Sequence, residues 1–342
     1  MKYLEAIICH GDSRLEFVEL PHPKIGNHDV LIKVRAAGIC GTDYAILAGN
    51  GPPWTRYPIV PGHELAGEAV RWGAGVEGLT EGMPVVVDNY LSCNSCRYCK
   101  SGAYFLCTSH TEVGMTINGG FAEFCAVPAT NVVKAPPGLT YEEASLAEPL
   151  ATAIRACKRA DITLDSRVVV LGCGPLGLLI VQVARSMGAA TIVLVGRGNR
   201  LRHGGALGAD VIIDSAKEDW ARRVLDLTNN QGAEVILEAT GSNEVLRDIS
   251  HAIGRLGRIV LLGVTWGKES TVLTDPLVLG EVAIHGCVSG MGAFDEALAY
   301  LASGRIRTEL FTRNRFRLDQ YEEAFMTDKM RKEGSVKVIF TP

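Results

Sequence analysis

The feature that most restricts the fold of this chain is a run of valines that leads into three closely spaced glycines. Residues 168–177 read VVVLGCGPLG, so an apolar strand meets a Gly-x-Gly-x-x-Gly turn. In such a turn Gly172 makes the sharp bend, Gly174 lets the backbone approach a ligand, and Gly177 lets the following helix pack on the strand. A second apolar stretch, 191–195, falls where the next parallel strand is needed. The sequence therefore predicts a βαβ unit of a Rossmann-type sheet.

The same turn predicts a dinucleotide site, because a helix N-terminus behind such a turn binds pyrophosphate. An acid that binds the ribose 2′-hydroxyl is expected about 20 residues further on, but no Asp or Glu lies between Asp165 and Asp210. Arginines stand there instead, and guanidinium groups pair with phosphates. We therefore expect NADP to be preferred to NAD, with relaxed cofactor choice and a solvated basic segment as the alternative. The residues expected to contact the cofactor are Gly172, Gly174, Pro175, Leu176, Gly177, Gly196, Arg197, Arg200 and Arg202.

The spacing of apolar runs predicts two domains in the 342 residues. Before about residue 145, short apolar runs with Gly and Pro between them are typical of strands. From about residue 150, strands alternate with helices, as in a parallel sheet with βαβ connections. The C-terminal segment returns to the first pattern. We therefore expect a discontinuous domain, residues 1–150 and 291–342, with an α/β domain, residues 151–290, inserted in it.

Periodicity and turn residues also place the individual elements. Predicted strands are 30–34, 67–70, 85–88, 121–127, 132–134, 168–171, 191–195, 211–213, 235–238, 258–263, 308–316 and 336–340. Predicted helices are 175–187, 219–228, 243–253, 294–302, 318–326 and a segment 143–160 that Pro149 interrupts.

Four of the ten cysteines stand in one short, loop-like stretch, as Cys93, Cys96, Cys99 and Cys107. Four thiolates suit tetrahedral Zn²⁺ in a closed structural site. An iron–sulfur cluster is the chemical alternative, because it also takes four thiolates. Disulfides are less expected, since the N-terminal segment has no apolar secretory core and a cytoplasmic location is predicted. The spacing therefore predicts a bound metal, with zinc favoured.

Composition narrows the possible partners. Lys and Arg number 34 against 38 Asp and Glu, a net charge of −4, and no block of five basic residues occurs. Neither a nucleic-acid surface nor a membrane surface is therefore expected. The apolar fraction of 47% excludes a disordered chain.

Two further motifs follow or begin predicted strands: G38-I-C40-G-T42-D43 and P61-G-H63-E64. A lone Cys or His more often packs in a core or lies on the surface. Here they occur together with the glycine turn, the four-cysteine segment and G119-G-F-A-E, in a fixed order over essentially the whole chain. With these motifs the sequence resembles the zinc-dependent medium-chain alcohol dehydrogenases, and within them the polyol, sugar and threonine dehydrogenase-like branch.

The resemblance implies a partly open, GroES-like β-barrel catalytic domain beside the Rossmann domain, and two zinc ions per chain. Cys40 and His63 match the first ligands of a catalytic zinc. Glu148 resembles the glutamate that binds this zinc in that branch, either directly or through a water molecule. Glu64 resembles the family's alternate carboxylate. The four clustered cysteines match the ligands of the structural zinc.

The resemblance also suggests a path for the alcohol proton. Thr42 matches the residue whose hydroxyl takes this proton, and Asp43 matches a residue that orients a ligand. Many members carry a His five residues after the first ligand, where this chain has Ala45. The final proton step is therefore expected to use water, Glu64 or the cofactor ribose.

The resemblance favours an enzyme that moves hydride between a secondary hydroxyl of a polyol, sugar or amino alcohol and NADP. The alternatives are an NAD-dependent L-threonine 3-dehydrogenase-like enzyme and a nucleotide-binding protein without turnover. The small-molecule alcohol or ketone would be the substrate, and a homo-oligomer, dimer or tetramer, would form through the strand near 284–289. Candidate pocket residues are Tyr44, Trp54, Tyr57 and Glu112.

Overall fold

The computed structural model describes residues 3–330 and 334–342, without the side chain of Met330. The chain forms two compact units. The first contains Met1–Ala151, Ser289–Gly304 and Thr308–Pro342, and the second contains Thr152–Val288 and Arg305–Arg307.

The chain contains both β-strands and α-helices. The strands are β1 (Tyr3–Cys9), β2 (Leu15–Pro21), β3 (Asp29–Gly38), β4 (Glu64–Trp72), β5 (Met83–Val87), β6 (Tyr90–Leu91), β7 (Thr111–Glu112), β8 (Phe124–Pro128), β9 (Val132–Lys134), β10 (Arg167–Leu171), β11 (Thr191–Gly196), β12 (Val211–Asp214), β13 (Ala233–Glu238), β14 (Ile253–Leu261), β15 (Ala283–Gly286), β16 (Asn314–Phe316) and β17 (Val338–Phe340). The α-helices are α1 (Gly41–Leu47), α2 (Arg97–Lys100), α3 (Tyr141–Ala144), α4 (Ala147–Arg159), α5 (Pro175–Ser186), α6 (Trp220–Leu227), α7 (Asn243–Ala252), α8 (Asp275–Leu279), α9 (Phe294–Ala302), α10 (Glu309–Thr312) and α11 (Tyr321–Met330).

The first unit is built on a largely antiparallel sheet of order β16-β17-β3-β4-β5-β9, with β8 also paired to β3. The sequence of β3 explains its central place. Val30, Ile32 and Val34 alternate along it and are almost fully buried, while Lys33 and Arg35 are partly exposed. Two small ribbons, β1 with β2 and β6 with β7, complete the strands of this unit.

The second unit is a parallel sheet of order β12-β11-β10-β13-β14-β15. In chain order this is 3-2-1-4-5-6, the doubly wound arrangement of dinucleotide-binding domains. Residues 168–171 of its central strand β10 are at most 1% exposed, because helices cover both faces of such a sheet. The predicted fold class, a β-rich domain with a Rossmann domain, is confirmed.

Two predicted elements are wrong in detail. Residues 308–316 were expected to form one strand, but helix α10 precedes the short strand β16. A helical turn lets the adjacent Phe311 and Thr312 both be buried, whereas a strand would point them to opposite faces. Pro149 does not interrupt a helix, since it stands in the first turn of α4, where its missing N–H costs no hydrogen bond. The break lies earlier, between α3 and α4.

Among the described residues, no helix is long and apolar enough to cross a membrane.

Candidate active site and metal clusters

The first candidate site lies where β3 ends and helix α1 begins. Cys40 stands at the N-cap of α1 with extended backbone angles, and its N–H donates to Oδ2 of Asp43 at 2.8 Å. The Oγ1 atom of Thr42 lies 3.7 Å from the Cys40 sulfur. This local turn therefore places a thiol, a hydroxyl and a carboxylate side by side.

His63 and Glu64 reach the same place from the start of β4, because β3 and β4 pair with Gly38 opposite Glu64. Gly62 before them has a φ of +93°, and a Cβ there would lie 2.5 Å from the ring of Phe121. Only glycine therefore allows this approach to β4. His63 is 4% exposed, and its Nδ1 lies 3.7 Å from Oδ1 of the buried Asp43.

One ligand atom each from Cys40, His63 and Glu64 lie within 4.8 Å of one another. Burial lowers the pKa of His63, but the charge and hydrogen bond of Cys40 and the charge of Asp43 outweigh it and raise the pKa well above its ordinary value. A sulfur, an imidazole nitrogen and a carboxylate oxygen are the donors that zinc takes, and three protein ligands leave a fourth position open in a catalytic site. These residues therefore fit a catalytic zinc.

Glu148 lies outside that group of three, in the first turn of α4. Its surroundings raise the pKa of Glu148 to about 8, chiefly by burial, while the charge of His63 lowers it and that of Glu64 raises it. The glutamate is thus within electrostatic range of two members of the group.

Lys337, which belongs to none of the predicted motifs, lies just before β17 and is 1% exposed. Its Nζ forms an ion pair with Oε2 of Glu64 and donates to the Ile39 carbonyl at 3.0 Å. Burial lowers the pKa of Lys337, but the negative charges of Glu64 and Cys40 raise it above its ordinary value. A single lysine inside the apolar run V-K-V-I-F was the available signal.

The second cluster contains Cys93, Cys96, Cys99 and Cys107, whose sulfurs all lie within 4.8 Å of one another. The sulfurs of Cys96 and Cys99 are 3.5 Å apart, which is too far for a disulfide and suits thiolates around one ion. Backbone N–H groups point at the sulfurs, as from Cys96 to Cys93 at 3.3 Å. Hydrogen bonds, first that of the Ser95 hydroxyl, lower the pKa of Cys93 to about 5. This lobe can hold a structural zinc.

The glycine turn joins β10 to α5 in the second unit. Gly172 has a φ of +114°, and a Cβ on Gly177 would lie 1.9 Å from the Gly172 carbonyl oxygen. Around Gly174, in contrast, nothing lies within 4 Å of such a Cβ. Pro175 and Leu176 open α5. The turn is therefore tight where helix meets strand and open at the helix N-terminus, as a bound pyrophosphate requires.

The basic residues follow the end of β11. Gly196 ends that strand, and Arg197 after it is exposed. Arg200 and Arg202 lie on a short 3₁₀ segment, 199–203, where Arg200 is only 6% exposed and Arg202 is exposed. Exposed guanidinium groups thus stand at the carboxyl end of β11, next to the glycine turn after β10.

The four candidate pocket residues differ in their surroundings. The hydroxyl of Tyr44 donates to the Phe325 carbonyl at 2.9 Å, and that of Tyr57 donates to the Ile46 carbonyl at 2.7 Å. Trp54 Nε1 donates to Oε2 of Glu112 at 3.0 Å. The two tyrosine hydroxyls therefore bind backbone carbonyls and stabilise the fold, whereas the side chains of Trp54 and Glu112 are hydrogen-bonded to each other.

Comparison with known proteins agrees with both units. The model of the alcohol dehydrogenase GroES-like domain matches residues 26–137, and that of the zinc-binding dehydrogenases matches residues 175–303. The chain is 36% identical to L-threonine 3-dehydrogenase of Pyrococcus furiosus over 95% of this chain and 94% of that one. It is 29% identical to sorbitol dehydrogenase of Bacillus subtilis, over 99% and 97% of the two chains.

A solved structure of a zinc-binding dehydrogenase from Sinorhizobium meliloti, bound to NADP, superposes on all of this chain and all of that one. The TM-score is 0.92 at 27% identity. From the two matching domains and the full-length relatives, this chain belongs to the zinc-dependent medium-chain alcohol dehydrogenase family.

Proposed function

We propose that this protein oxidises a secondary hydroxyl group of a polyol, sugar or amino alcohol and transfers the hydride to NADP⁺. The observation that carries the proposal is the grouping of Cys40, His63 and Glu64 ligand atoms within 4.8 Å. When bound there, zinc supplies a Lewis acid that lowers the pKa of the substrate hydroxyl.

The surrounding residues orient this group. Asp43 accepts from the Cys40 N–H and faces Nδ1 of His63, so that Nε2 of the imidazole is left for the metal. Lys337 holds the carboxylate of Glu64 at the same place. Glu148 is a further carboxylate within electrostatic range, and we assign it as the alternative third ligand.

Thr42 is assigned to the substrate proton. Its hydroxyl lies 3.7 Å from the Cys40 sulfur and can both accept and donate a proton. Because Ala45 stands where a relay histidine would, the proton would leave Thr42 to water, Glu64 or the cofactor ribose.

The glycine turn and the basic segment are assigned to NADP. Gly174 leaves room for the pyrophosphate, and Arg197 is an exposed guanidinium for the 2′-phosphate, with the exposed Arg202 five residues further along the chain. We expect Arg197→Ala to lower kcat/KM for NADP⁺ about tenfold and to leave that for NAD⁺ nearly unchanged. Equal values for both cofactors in both proteins would contradict the NADP assignment.

Metal analysis joined to an activity assay tests the main proposal. The zinc-loaded wild type should hold two zinc ions per chain and reduce NADP⁺ with a panel of polyols, sugars, amino alcohols and L-threonine. Cys40→Ser should lose one zinc and the activity, whereas Cys125→Ser, a buried free thiol on β8, should keep both. Cys40→Ser with two zinc ions and full activity would refute it. L-threonine as the best substrate would support the second candidate, an L-threonine 3-dehydrogenase, which the relative from Pyrococcus furiosus favours.

We further propose that two copies associate through β15, the edge strand of the parallel sheet. Ile284 on β15 is 45% exposed, and Val278 and Leu279 on α8 are 73% and 79% exposed. Exposed apolar side chains beside an open strand edge are typical of a subunit interface. Light scattering should show a dimer or tetramer that Ile284→Lys dissociates. We also propose a cytoplasmic location, which agrees with cysteines assigned as metal ligands or buried thiols and not as disulfides.

A further inference from the structure

The ribbon of β6 and β7 encloses a carboxylate that the chemistry above does not use. Tyr90 pairs with Glu112 across the ribbon, and the Val113 N–H donates to the Asn89 carbonyl at 3.0 Å. These contacts hold Asn89 beside Glu112. The two residues are 2% and 5% exposed, so a carboxylate and an amide are buried next to each other.

Only neutral groups bind this carboxylate. Asn89 Nδ2 donates to Oε1 of Glu112 at 3.1 Å, and Trp54 Nε1 donates to Oε2 at 3.0 Å. No lysine or arginine of the described residues forms an ion pair with it. A carboxylate can accept about four hydrogen bonds, so acceptor positions remain. The Oδ1 atom of Asn89 is also buried and has no partner within residues 3–330 and 334–342.

A buried acid without a cation is costly to a fold, so a role outside stability is expected for it. Burial raises the pKa of Glu112, while the charge of His63, the hydrogen bond of Trp54 and the charge of His110 oppose the rise. Glu112 also acts on the pKa of Glu148. Geometry places the carboxylate near the same ligands. Gly114, two residues after Glu112, packs against Gly62, since a Cβ on Gly114 would lie 3.0 Å from the Gly62 nitrogen, and His63 follows Gly62 directly.

Aromatic rings border the pair. The ring of His110 stacks on Tyr90 at 4.9 Å between centroids and meets Trp54 edge-on at 4.6 Å. The loop that carries Trp54 is tied to the segment after Glu112, since the Arg56 N–H donates to the Met115 carbonyl at 2.9 Å. The acceptors are thus held in a fixed frame.

We propose that Glu112 and Asn89 form a subsite that binds a second hydroxyl group of a polyol or sugar while the first is oxidised at the Cys40–His63 group. The inference rests on the proposed function. A hydroxyl can donate a hydrogen bond to the carboxylate and accept one from the second N–H of the Asn89 amide, whereas an ammonium group can only donate. A substrate carboxylate, as in L-threonine, would be repelled by Glu112. The subsite therefore favours polyols over alcohols that carry a carboxylate.

The test compares two alcohols that differ in one hydroxyl group, 2,3-butanediol and 2-butanol. The ratio of their kcat/KM values should fall about tenfold or more in Glu112→Leu, the loss of a hydrogen bond to a charged acceptor. Glu112→Gln, which keeps the shape, should lower it less. Calorimetric titration with ribitol should show the same order of affinities. Glu68→Gln, a carboxylate on β4 bound by Arg35, is the matched control and should leave the ratio unchanged.

Three results would overturn the inference. One is an unchanged ratio and unchanged ribitol affinity in a folded Glu112→Leu with normal zinc content. The second is the same outcome in Glu112→Gln where the leucine variant does not fold. The third is a fall in kcat/KM of the Glu112 variants for 3-amino-2-butanol alone, which would show that the subsite binds an ammonium group. Failure of the proposed function is distinct, because the zinc-loaded wild type would then oxidise no alcohol with either cofactor.

Discussion

Replacing Lys337 by methionine should show how strongly the fold depends on the ion pair beneath the candidate zinc site. Lys337 and Glu64 are 1% and 2% exposed and face each other. Methionine keeps most of the apolar stem, so the substitution removes the charge and leaves no large cavity. The carboxylate of Glu64 then stays buried without its cation.

Removing one partner of a buried ion pair costs about 3–5 kcal/mol. The lost hydrogen bond from Lys337 Nζ to the Ile39 carbonyl, 3.0 Å long, adds about 1 kcal/mol. We therefore expect Lys337→Met to lower the free energy of unfolding of the zinc-free first unit by about 5 kcal/mol. Glu64→Gln in the same protein should restore at least about 2 kcal/mol of this, because the uncompensated charge is gone.

Urea unfolding of the zinc-free and zinc-loaded proteins, in a double-mutant cycle of the two substitutions, measures this coupling. With zinc bound, the penalty of Lys337→Met should be smaller, since the metal offers Glu64 another positive charge. Additive single effects, with a coupling below about 0.5 kcal/mol, would refute the reasoning. An equal loss of unfolding free energy with and without zinc would show that the charge of the metal does not act on Glu64.

Further predictions concern glycines and a buried acid. Gly38→Ala should destabilise the first unit and weaken zinc binding, measured by unfolding and metal analysis, because its Cβ would lie 2.4 Å from Oε2 of Glu64. Gly177→Ala should lower the melting temperature of the second unit, since the new Cβ would meet a backbone oxygen at 1.9 Å, whereas Gly174→Ala should fold normally and lose NADP⁺ affinity in a fluorescence titration. Burial raises the pKa of Glu112 above 4.5. The unfolded chain therefore releases this proton at a lower pH than the folded protein does, and the wild type loses stability as pH rises from 4.5 through the raised pKa. The stability of Glu112→Gln relative to the wild type should therefore increase with pH above 4.5, and a pH-independent difference would contradict this.

Features that depend on only a few neighbouring residues could be predicted from the sequence. The turn at Gly172 and the spacing of the cysteines from Cys93 to Cys107 express local geometry and ligand chemistry. The alternation of strands and helices in the second unit is also local, so the order of elements from β10 to β14 could be predicted and is confirmed.

The positions that depend on pairing between distant segments could not be predicted in this way. Helix α1 was not foreseen, since Gly41–Leu47 is short and its start is determined by Cys40 and Asp43. The segment at 308–316 has the β-branched and aromatic residues of a strand, but burial of Phe311 and Thr312 together favours a helical turn. Packing outweighs local preference in such short elements.

The clearest example is the carboxylate next to His63. The resemblance put Glu148 in the place of the third ligand and Glu64 as the alternate carboxylate, and the register of β3 with β4 brings Glu64 into the ligand group. β17 pairs with the same end of β3, with Ile339 opposite Gly38. Lys337 therefore reaches Glu64 from about 270 residues away along the chain. Because no local pattern encodes such a pairing, the charge that faces the candidate metal ligand becomes visible only in the folded sheet.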